Sequence, residues 1–528
     1  MLKKKTSVQI DESRVDAIFA QLNHCHLPGA AIGIAVDGRP VYRKAFGVAN
    51  AELPVVLSPR MKIRIGSITK HFASLAYLLL CEKGRADLDD LIGKYLPEVN
   101  PASRSVTVRQ LMSHMSGIRD VSDICWQFSG TGNRVTSSEL LSLYRTIDDV
   151  NAAPGTRWIY NNGGYQMLST AIERITDQSL EDVLQESIFR PVGMYDTALR
   201  RFDTDFVPNS ATLHAQRSDK TFEKAHLGSA LVGEGGVAST IDDMLLWLRH
   251  MDSPEIGSPN TWSALKCAQT LANGTSTGYG LGLASGLYRG LETISHSGSV
   301  LAGTSDMLKV GSAGLDVVVL TNRGDVMASS LSREVLDTCL EFNRSKEKVG
   351  HPGVTGMFRS ETTGRIIQLV VREGQQIASI DGTDFPVSAD SNGVLRLSPI
   401  FTLKYTITLV GGSHAPSHIL FEDFGNRDKL VAVHTSEGAS AQFIEGRYRS
   451  DNTDTEVDIR PSEDGATMTS VGHFGSVKHR LNCLTDNVWR SSSAGSVPWA
   501  GVLAFDRDSQ AFRFTNLRTQ ALYFRRVH

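Results

Sequence analysis

With 528 residues the chain is too long to fold around one hydrophobic core, so two or three domains are expected. Its 54 basic and 57 acidic residues nearly cancel, and the net charge of −3 gives no electrostatic case for binding nucleic acid or a membrane surface. The longest apolar stretch, around residues 75–81, is too short and too interrupted to cross a bilayer.

The first residues carry three lysines, as the start of a signal peptide would, but residues 6–12 supply no apolar segment after them. We therefore expect a cytoplasmic protein. The six cysteines are scattered without close pairs, which favours reduced thiols. The run His24-Cys25-His26 is too compact for its side chains to converge on one ion, and no partner cluster is evident. We predict no metal and no cofactor.

Hydrophobic spacing and turn residues predict the elements of the first 342 residues in chain order. A β-hairpin is predicted at residues 30–36 and 41–46, around the turn signal Asp37-Gly38. Helices follow at residues 67–82, 138–146, 165–175 and 241–251, then a second hairpin at 305–310 and 315–321 and a helix at 330–342. Strands at both ends with helices between them predict an α/β sandwich with a helical subdomain.

The segment Ser67-Ile68-Thr69-Lys70 lies where the first of these helices begins. Residues three apart share one face of a helix, so Lys70 is placed to take the proton of the Ser67 hydroxyl as it attacks a carbonyl. The unpaired N–H groups of a helix N-terminus favour the negative charge that then develops. Taken alone, the tetrad is also compatible with Ser67 as a helix cap and Lys70 as a solvated lysine.

Two later segments add polar residues suited to the same chemistry. Tyr160-Asn161-Asn162 follows a turn at residues 153–156, and a polar Tyr-x-Asn between apolar segments is unusual in a core. His296 stands at the end of a predicted strand, and the small residues 297–299 follow it. Each segment alone has an ordinary structural explanation. The order Ser-x-x-Lys, Tyr-x-Asn, His-x-Gly together predicts a serine hydrolase.

In this order the segments resemble the serine β-lactamase and penicillin-binding-protein superfamily, specifically its class C-like branch of esterases, D,D-peptidases and D-aminopeptidases (peptidase S12 type). Further segments similar to family phrases lie at residues 111–118, 154–165, 188–194 and 279–282. The resemblance covers roughly the first 340 residues. The third segment is His-Ser-Gly where many members carry Lys-Thr-Gly, a substitution that resembles the aminopeptidase branch and some esterases.

The resemblance implies acyl transfer through a covalent intermediate on Ser67. Burial beside Ser67 would disfavour the ammonium form of Lys70, whereas a cationic lysine nearby would favour the phenolate form of Tyr160. Either group could then be the base, and the sequence leaves the division between Lys70 and Tyr160 open. We therefore assign the proton transfer jointly to Ser67, Lys70 and Tyr160.

The resemblance also implies roles for the residues that bind substrate. His296 would orient or polarise Tyr160 and the carboxyl end of the substrate, and Asn162 would hydrogen-bond the amide on the acyl side. The backbone N–H groups of Ser67 and of Ser299, which follows Gly298, would form the oxyanion hole. No cofactor is implied, and β-lactams are possible inhibitors.

Past residue 342 the character of the sequence changes. Residues 343–353 are polar, charged and broken by glycine and proline, which predicts a linker. Short strand-like runs follow, and the segment 356–363 is echoed by 446–453. A chance match is the alternative to a repeat. We predict two small antiparallel β-barrels, at residues 354–440 and 441–528, after a catalytic domain at 1–342.

This arrangement of domains is similar to that of D-aminopeptidases, which remove D-residues, especially D-alanine, from the N-terminus of peptides, amides and esters. In that branch a loop of the last barrel enters the cleft, and an aspartate on the loop binds the free amine. The loop here should lie within residues 471–480, with Val477 and Lys478 at the position of that acid. A buried ammonium needs a counter-charge, so Glu234 or Asp486 would have to replace the aspartate.

Two other functions remain open at this stage. A loop that recognises a carboxylate or a blocked N-terminus would make the protein a D,D-carboxypeptidase-like hydrolase or an esterase. A non-catalytic penicillin-binding-like module is the third interpretation, against which the complete set of catalytic residue types argues. The expected partners are a small peptide, amide or ester substrate and, by the example of the relatives, a second copy of the chain in a homodimer.

Overall fold

The computed structural model describes residues 8–342, 353–390, 392–397, 405–412, 415–433, 440–485, 487–493 and 500–527. Within these ranges the α-helices are α1 (Glu12–Phe19), α2 (Thr69–Glu82), α3 (Pro101–Arg104), α4 (Val108–Met112), α5 (Val121–Ser129), α6 (Ser137–Ser142), α7 (Asn162–Thr176), α8 (Leu180–Leu184), α9 (Arg190–Val192), α10 (Ile241–His250), α11 (Pro259–Lys266), α12 (Ala328–Cys339) and α13 (Ala441–Ile444). Residues 343–352 of the predicted linker 343–353, and Asp486, lie outside the described residues.

The strands of the first domain are β1 (Ala30–Val36), β2 (Arg39–Phe46), β3 (Val48–Asn50), β4 (Val55–Val56), β5 (Ile63–Arg64), β6 (Ala198–Leu199), β7 (His214–Gln216), β8 (Phe222–Lys224), β9 (Val237–Ser239), β10 (Ala284–Tyr288), β11 (Leu291–Val300), β12 (Gly303–Val310) and β13 (Leu315–Thr321). Six of them form an antiparallel sheet in the order β10-β11-β12-β13-β1-β2. The two predicted hairpins therefore meet at β1 and β13, where Ala30 lies opposite Thr321.

Both faces of this sheet are covered by helices. Because side chains alternate along a strand, Ile32 and Ile34 of β1 pack in the cluster that contains α1 and α12, while Gly33 points to the opposite face. There a Cβ atom on Gly33 would lie 2.4 Å from Ile241 of α10, so glycine lets this helix approach the sheet. The result is the predicted α/β sandwich, with a helical subdomain built from the segments between β5 and β10.

The rest of the chain forms two closed, eight-stranded antiparallel barrels. The first comprises β14 (Gly356–Arg359), β15 (Ile366–Arg372), β16 (Gln375–Ile380), β17 (Thr383–Ala389), β18 (Leu395–Leu397), β19 (Thr406–Val410), β20 (His418–Asp423) and β21 (Asn426–Val433). The last comprises β22 (Gly446–Ser450), β23 (Thr455–Ser462), β24 (Gly465–Gly472), β25 (Gly475–Thr485), β26 (Val488–Ser493), β27 (Ala500–Phe505), β28 (Ala511–Thr515) and β29 (Leu522–Val527). The two repeated segments form the first strand of each barrel, which agrees with the predicted repeat.

Each barrel packs on the first domain through aromatic side chains. The ring of Phe128, at the end of α5, lies 5.1 Å from that of Phe514 and 5.5 Å from that of Phe524, both in the last barrel. In the first barrel, Phe424 of the β20–β21 turn stacks on Trp158 with ring centroids 3.4 Å apart. Trp158 precedes Tyr160 by two residues, so this barrel braces the segment that carries a predicted catalytic group.

Candidate active site

Ser67 lies in a 3₁₀ turn, Gly66–Ile68, that leads directly into α2. Gly66 has φ +52°, and a Cβ atom on it would lie 2.7 Å from the backbone nitrogen of Ser299 in β11. A Cβ atom on Gly298 would lie 2.0 Å from the carbonyl oxygen of Ile65. The two glycines thus let the turn and β11 approach closely, which brings the backbones of Ser67 and Ser299 to the same side of the site, as an oxyanion hole needs.

We expect Gly66→Ala to lower kcat/KM by about 100-fold, because the new Cβ atom would push the Ser67 turn away from Ser299. Gly84→Ala is the matched control: Gly84 follows the end of the same helix with φ +66°, and a Cβ atom on it would meet no other atom within 4 Å. It imposes the same left-handed strain without the contact. Steady-state kinetics and melting curves of both variants check the prediction, and equal activity losses would contradict it.

Lys70 is completely buried and has three polar neighbours. Its Nζ lies 3.1 Å from the Ser67 Oγ, 2.8 Å from the Asn162 Oδ1 and 2.7 Å from the backbone carbonyl oxygen of Glu234. The Asn162 Oδ1 and the Glu234 carbonyl can only accept, so they take both N–H bonds of a neutral amine and leave its lone pair facing the Ser67 hydroxyl. This geometry suits Lys70 to remove the Ser67 proton.

The electrostatics of the site favour the same assignment. Burial lowers the pKa of Lys70 well below its ordinary value; nearby Glu234 opposes this shift and the positive charge of Arg518 adds to it. Burial raises the pKa of Tyr160, and Arg518 and a hydrogen bond with Ser67 only partly oppose it. Tyr160 is therefore a protonated phenol at neutral pH, with its ring centroid 4.7 Å from the Lys70 Nζ. Of the two groups, Lys70 is the better suited to act as a base and Tyr160 to act as a proton donor.

Asn162 is positioned by an acid that the sequence analysis did not identify. The carboxylate of Asp120 accepts hydrogen bonds from the backbone nitrogens of Asn162, at 3.0 Å, and Gly163, at 2.9 Å, at the start of α7. It also caps α5 through the nitrogen of Ser122 at 3.1 Å. A buried acid serving two helix N-termini is a tertiary arrangement, and the only signal in the sequence was its place two residues after the family-like segment 111–118.

His296 lies in β11 and is fully buried. Its Nδ1 lies 2.7 Å from the carbonyl oxygen of Ser297, which can only accept, so Nδ1 carries the proton. Its Nε2 then accepts a hydrogen bond from the Tyr279 hydroxyl at 2.8 Å. Burial lowers the pKa of His296 to about 3, so the ring is neutral. The structure thus adds Tyr279 as a partner of His296, and its orienting role toward Tyr160 stays a prediction.

A cavity of about 570 Å³ opens beside Ser67, and all three domains contribute to its wall. The first domain supplies Ser67, Tyr160, Asn162, Glu234, Ser297, Gly298 and Ser299, among others. The first barrel supplies Arg365, Tyr405, Asp423 and Phe424, together with apolar side chains of its interior. The last barrel supplies Leu517 and Arg518. The site is therefore closed by both barrels and not by the first domain alone.

The prediction that Val477 and Lys478 reach the cavity is corrected by the structure. The hairpin between β24 and β25 packs on α5 instead: Phe474 donates its backbone N–H to the Ser129 Oγ at 3.3 Å. A Cβ atom on Gly130 would lie 3.5 Å from the Val477 Cβ, so Val477 faces the end of α5. The last barrel reaches the cavity through the loop between β28 and β29, which carries Leu517 and Arg518.

Glu234 does line the cavity, but its carboxylate already has partners. One oxygen accepts a hydrogen bond from the Gln166 side chain at 2.5 Å, and the other accepts from the backbone nitrogen of Val232 at 3.1 Å. Burial raises the pKa of Glu234 to about 7. Its clearest contact with the catalytic group is through its backbone carbonyl, which holds Lys70.

No group of three or more His, Cys, Asp or Glu side chains is placed to hold a metal ion within the described ranges. Among the helices of those ranges, none combines the length and the apolar character that crossing a membrane requires.

Comparison with known proteins gives relatives that match most of the chain. The D-aminopeptidase of Brucella canis is 27% identical over 497 residues, covering 91% of this chain and 92% of that protein. The D-aminopeptidase of Brucella anthropi is 26% identical over 504 residues, covering 92% of each.

Solved structures share the fold at lower identity. The octameric penicillin-binding protein homologue from Pyrococcus abyssi has a TM-score of 0.58 and 19% identity, covering 98% of this chain and all of that chain. The D-amino acid amidase from Ochrobactrum anthropi SV3, complexed with L-phenylalanine, has a TM-score of 0.52 and 20% identity, covering 63% and 100%. The β-lactamase family model matches residues 15–339, which include Ser67, Lys70, Tyr160 and His296. Since that match spans more than half of the chain, the protein belongs to the β-lactamase family.

Proposed function

We propose that the protein is a serine hydrolase that releases N-terminal D-amino acids, with D-alanine preferred, from peptides, amides and esters. The observation that carries the proposal is the buried Lys70, whose Nζ lies 3.1 Å from the Ser67 Oγ and whose pKa is lowered well below its ordinary value by burial. The names of relatives aligned over about nine-tenths of the chain support the choice of substrate class. The preference for a free amine and for D-configuration is the part that needs experiment.

In the proposed mechanism the Ser67 Oγ attacks the substrate carbonyl while its proton passes to the Lys70 Nζ. The backbone N–H groups of Ser67 and Ser299 stabilise the oxyanion. As the tetrahedral intermediate collapses, the Tyr160 hydroxyl gives its proton to the leaving nitrogen and regains one from the Lys70 ammonium. Water then releases the acyl group from Ser67 by the reverse sequence of proton transfers.

The free amine of such a substrate needs an acid near the acyl side. Among the described residues, the acids that line the cavity are Glu234, Asp325 and Asp423. Burial raises the pKa of Glu234 to about 7, and a bound ammonium would favour its ionised form. The ionised carboxylate offers about four acceptor sites, so the two hydrogen bonds that it already accepts leave lone pairs on both oxygens. We keep Glu234 as the proposed amine-binding acid, since its own backbone carbonyl holds Lys70 and so places it beside the nucleophile.

A second candidate is a D,D-carboxypeptidase-like hydrolase or an esterase. The observation in its favour is the charge of the loop that reaches the cavity from the last barrel: it presents Arg518 and no acid. A guanidinium there repels an ammonium group and attracts a carboxylate. Acylation of Ser67 is common to both candidates, so the distinction rests on which end of the substrate must be charged.

The test compares three reporter substrates: D-alanine p-nitroanilide, its N-acetylated form and a simple p-nitrophenyl ester, with L-alanine p-nitroanilide as the stereochemical control. The proposed aminopeptidase cleaves the free amine faster than the acetylated form, and the D-isomer faster than the L-isomer. Glu234→Gln is expected to reduce that preference for the free amine. Preference of the unmodified enzyme for the acetylated or ester substrate would overturn the proposal in favour of the second candidate.

A further inference from the structure

The loop between β28 and β29 is held against the first domain by a buried carboxylate. The Asp123 Oδ2 accepts hydrogen bonds from the side chains of Asn516, at 2.9 Å, and Thr519, at 2.7 Å. The Asn516 Oδ1 in turn accepts the backbone N–H groups of Arg518, at 2.8 Å, and Thr519, at 2.7 Å. The backbone on both sides of Arg518 is therefore fixed from within the loop and from α5.

A second set of contacts fixes the same loop from the other side. Asn151 donates its side-chain N–H to the carbonyl oxygen of Arg518 at 2.8 Å and accepts the backbone N–H of Gln520 at 2.9 Å. Arg119 donates to the carbonyl oxygen of Gln520. The loop thus has several hydrogen bonds to the first domain. They fix the backbone from which its one charged side chain, that of Arg518, enters the cavity.

The guanidinium of Arg518 forms no direct ion pair with a described acid. Its central carbon lies 5.1 Å from the ring centroid of Tyr160, and the residue lines the cavity beside Ser67. Its Nη1 is buried without a hydrogen-bond partner, and none of the described acids forms an ion pair with it. Asp123, the buried acid that holds the loop, accepts hydrogen bonds from Asn516 and Thr519 and interacts with the Arg518 charge only through space.

The other arginine of the cavity wall shows the contrast. Arg365, from the first barrel, lies 3.0 Å from an oxygen of Asp381 and 3.3 Å from one of Asp428. Its charge is balanced by these buried carboxylates, so it has a structural role in the barrel. Arg518 is the cation of the wall that still lacks an anionic partner among the described residues.

We infer that Arg518 binds the carboxylate of the residue that follows the scissile bond, so that the enzyme cuts the last peptide bond of a short peptide. An arginine fork matches a carboxylate through two parallel hydrogen bonds. In the mechanism above Tyr160 protonates the leaving nitrogen, and the α-carboxylate of a C-terminal residue is only two bonds from that nitrogen. Arg518 lies beside Tyr160 and is therefore placed to contact this carboxylate.

This inference rests on the proposed acyl-Ser67 hydrolase, and it narrows the substrate class. With a free amine on the acyl side, the substrate is a dipeptide whose first residue has D-configuration. With a blocked amine, it is the C-terminal dipeptide unit of a longer peptide. In both cases the product that leaves first is a free amino acid.

The experiment measures kcat/KM for D-alanyl-glycine and for D-alanyl-glycinamide, which differ only in the carboxylate, by following the released product. The wild-type protein is expected to prefer the acid by about tenfold or more, and Arg518→Gln is expected to bring the ratio close to one. Arg518→Lys should retain part of the preference. Because both substrates are measured at one pH, a change in the pKa of Lys70 cancels in the ratio.

Arg513→Gln is the matched control, since Arg513 is exposed on β28 of the same barrel and does not line the cavity; its ratio should equal that of the wild type. Equal rates on the acid and the amide, or a preference that survives in Arg518→Gln, would overturn the inference. If the free-amine substrates fail altogether, N-acetyl-D-alanyl-D-alanine and its C-terminal amide repeat the comparison. Calorimetric binding of the same pairs to Ser67→Ala gives the ratio without turnover, which separates failure of this inference from failure of the proposed function.

Discussion

Replacement of Ser67 by alanine is expected to lower kcat/KM by about 10⁴-fold or more, because no other group can accept the acyl chain. The fold should be retained, since the Ser67 side chain is only partly buried and its loss removes only its hydrogen bonds with Lys70 and Tyr160. The measurement is turnover of D-alanine p-nitroanilide, with circular dichroism and the melting temperature as checks on folding. Activity at the wild-type level would show that the nucleophile lies elsewhere.

Covalent labelling extends this test to the non-catalytic interpretation. A fluorophosphonate or a β-lactam should add to wild-type protein and not to Ser67→Ala, and peptide mass spectrometry should place the label on Ser67. Ser330→Ala, which removes an exposed serine in the first turn of α12, should label like the wild type. A protein that folds but takes no label would support a binding module without acyl transfer.

The second large effect is expected for Lys70→Met, which keeps the length of the side chain and removes the base. General-base catalysis is worth about 10²–10⁴-fold, so acylation should slow by a factor in that range. The variant leaves the Asn162 Oδ1 and the Glu234 carbonyl without the hydrogen bonds that Lys70 donates, so a lower melting temperature is expected as well. Pre-steady-state kinetics separate the slower acylation from any change in deacylation.

The dependence of kcat/KM on pH tests whether Lys70 acts as the base. Only neutral Lys70 can take the Ser67 proton, so kcat/KM should fall as the pH drops through the lowered pKa of Lys70. His296 has a pKa of about 3, so its titration does not cause a loss of activity near neutral pH. Because Arg518 lowers the pKa of Lys70, Arg518→Gln should shift the decline of kcat/KM to higher pH. If kcat/KM of Lys70→Met declines at low pH in the same way as that of the wild type, the titrating group is not Lys70.

Features set by local spacing could be predicted from the sequence. Ser67 and Lys70 are three residues apart on one helical turn, so their contact required no knowledge of the tertiary fold. The hairpin at Asp37-Gly38 was also local, and both turn residues have the positive φ that such turns favour, +48° and +73°. The repeat at residues 356 and 446 likewise identified the first strand of each barrel.

Features that depend on burial could not be predicted in the same way. The division of roles between Lys70 and Tyr160 follows from desolvation, which lowers one pKa and raises the other. Helix α5 was not predicted, and all of its residues are buried, including the polar Asp123 and Gln127. Burial of its polar residues depends on the last barrel, which packs on this helix. The resemblance placed Val477 and Lys478 in the cleft, whereas their hairpin packs against the end of α5.

Helix α5 can be enclosed only after the last barrel has been synthesised. Asp123 and Thr519, whose side chains hydrogen-bond, are 396 residues apart in the chain. At about 5–20 residues per second a ribosome needs roughly 20–80 s to travel that distance, during which α5 lacks the aromatic side chains that enclose Phe128. A nascent chain that already holds Ser67 and Lys70 therefore has an open, unfinished cavity. Premature termination anywhere in the last barrel should yield an inactive product with an exposed apolar helix, which chaperones and proteases recognise.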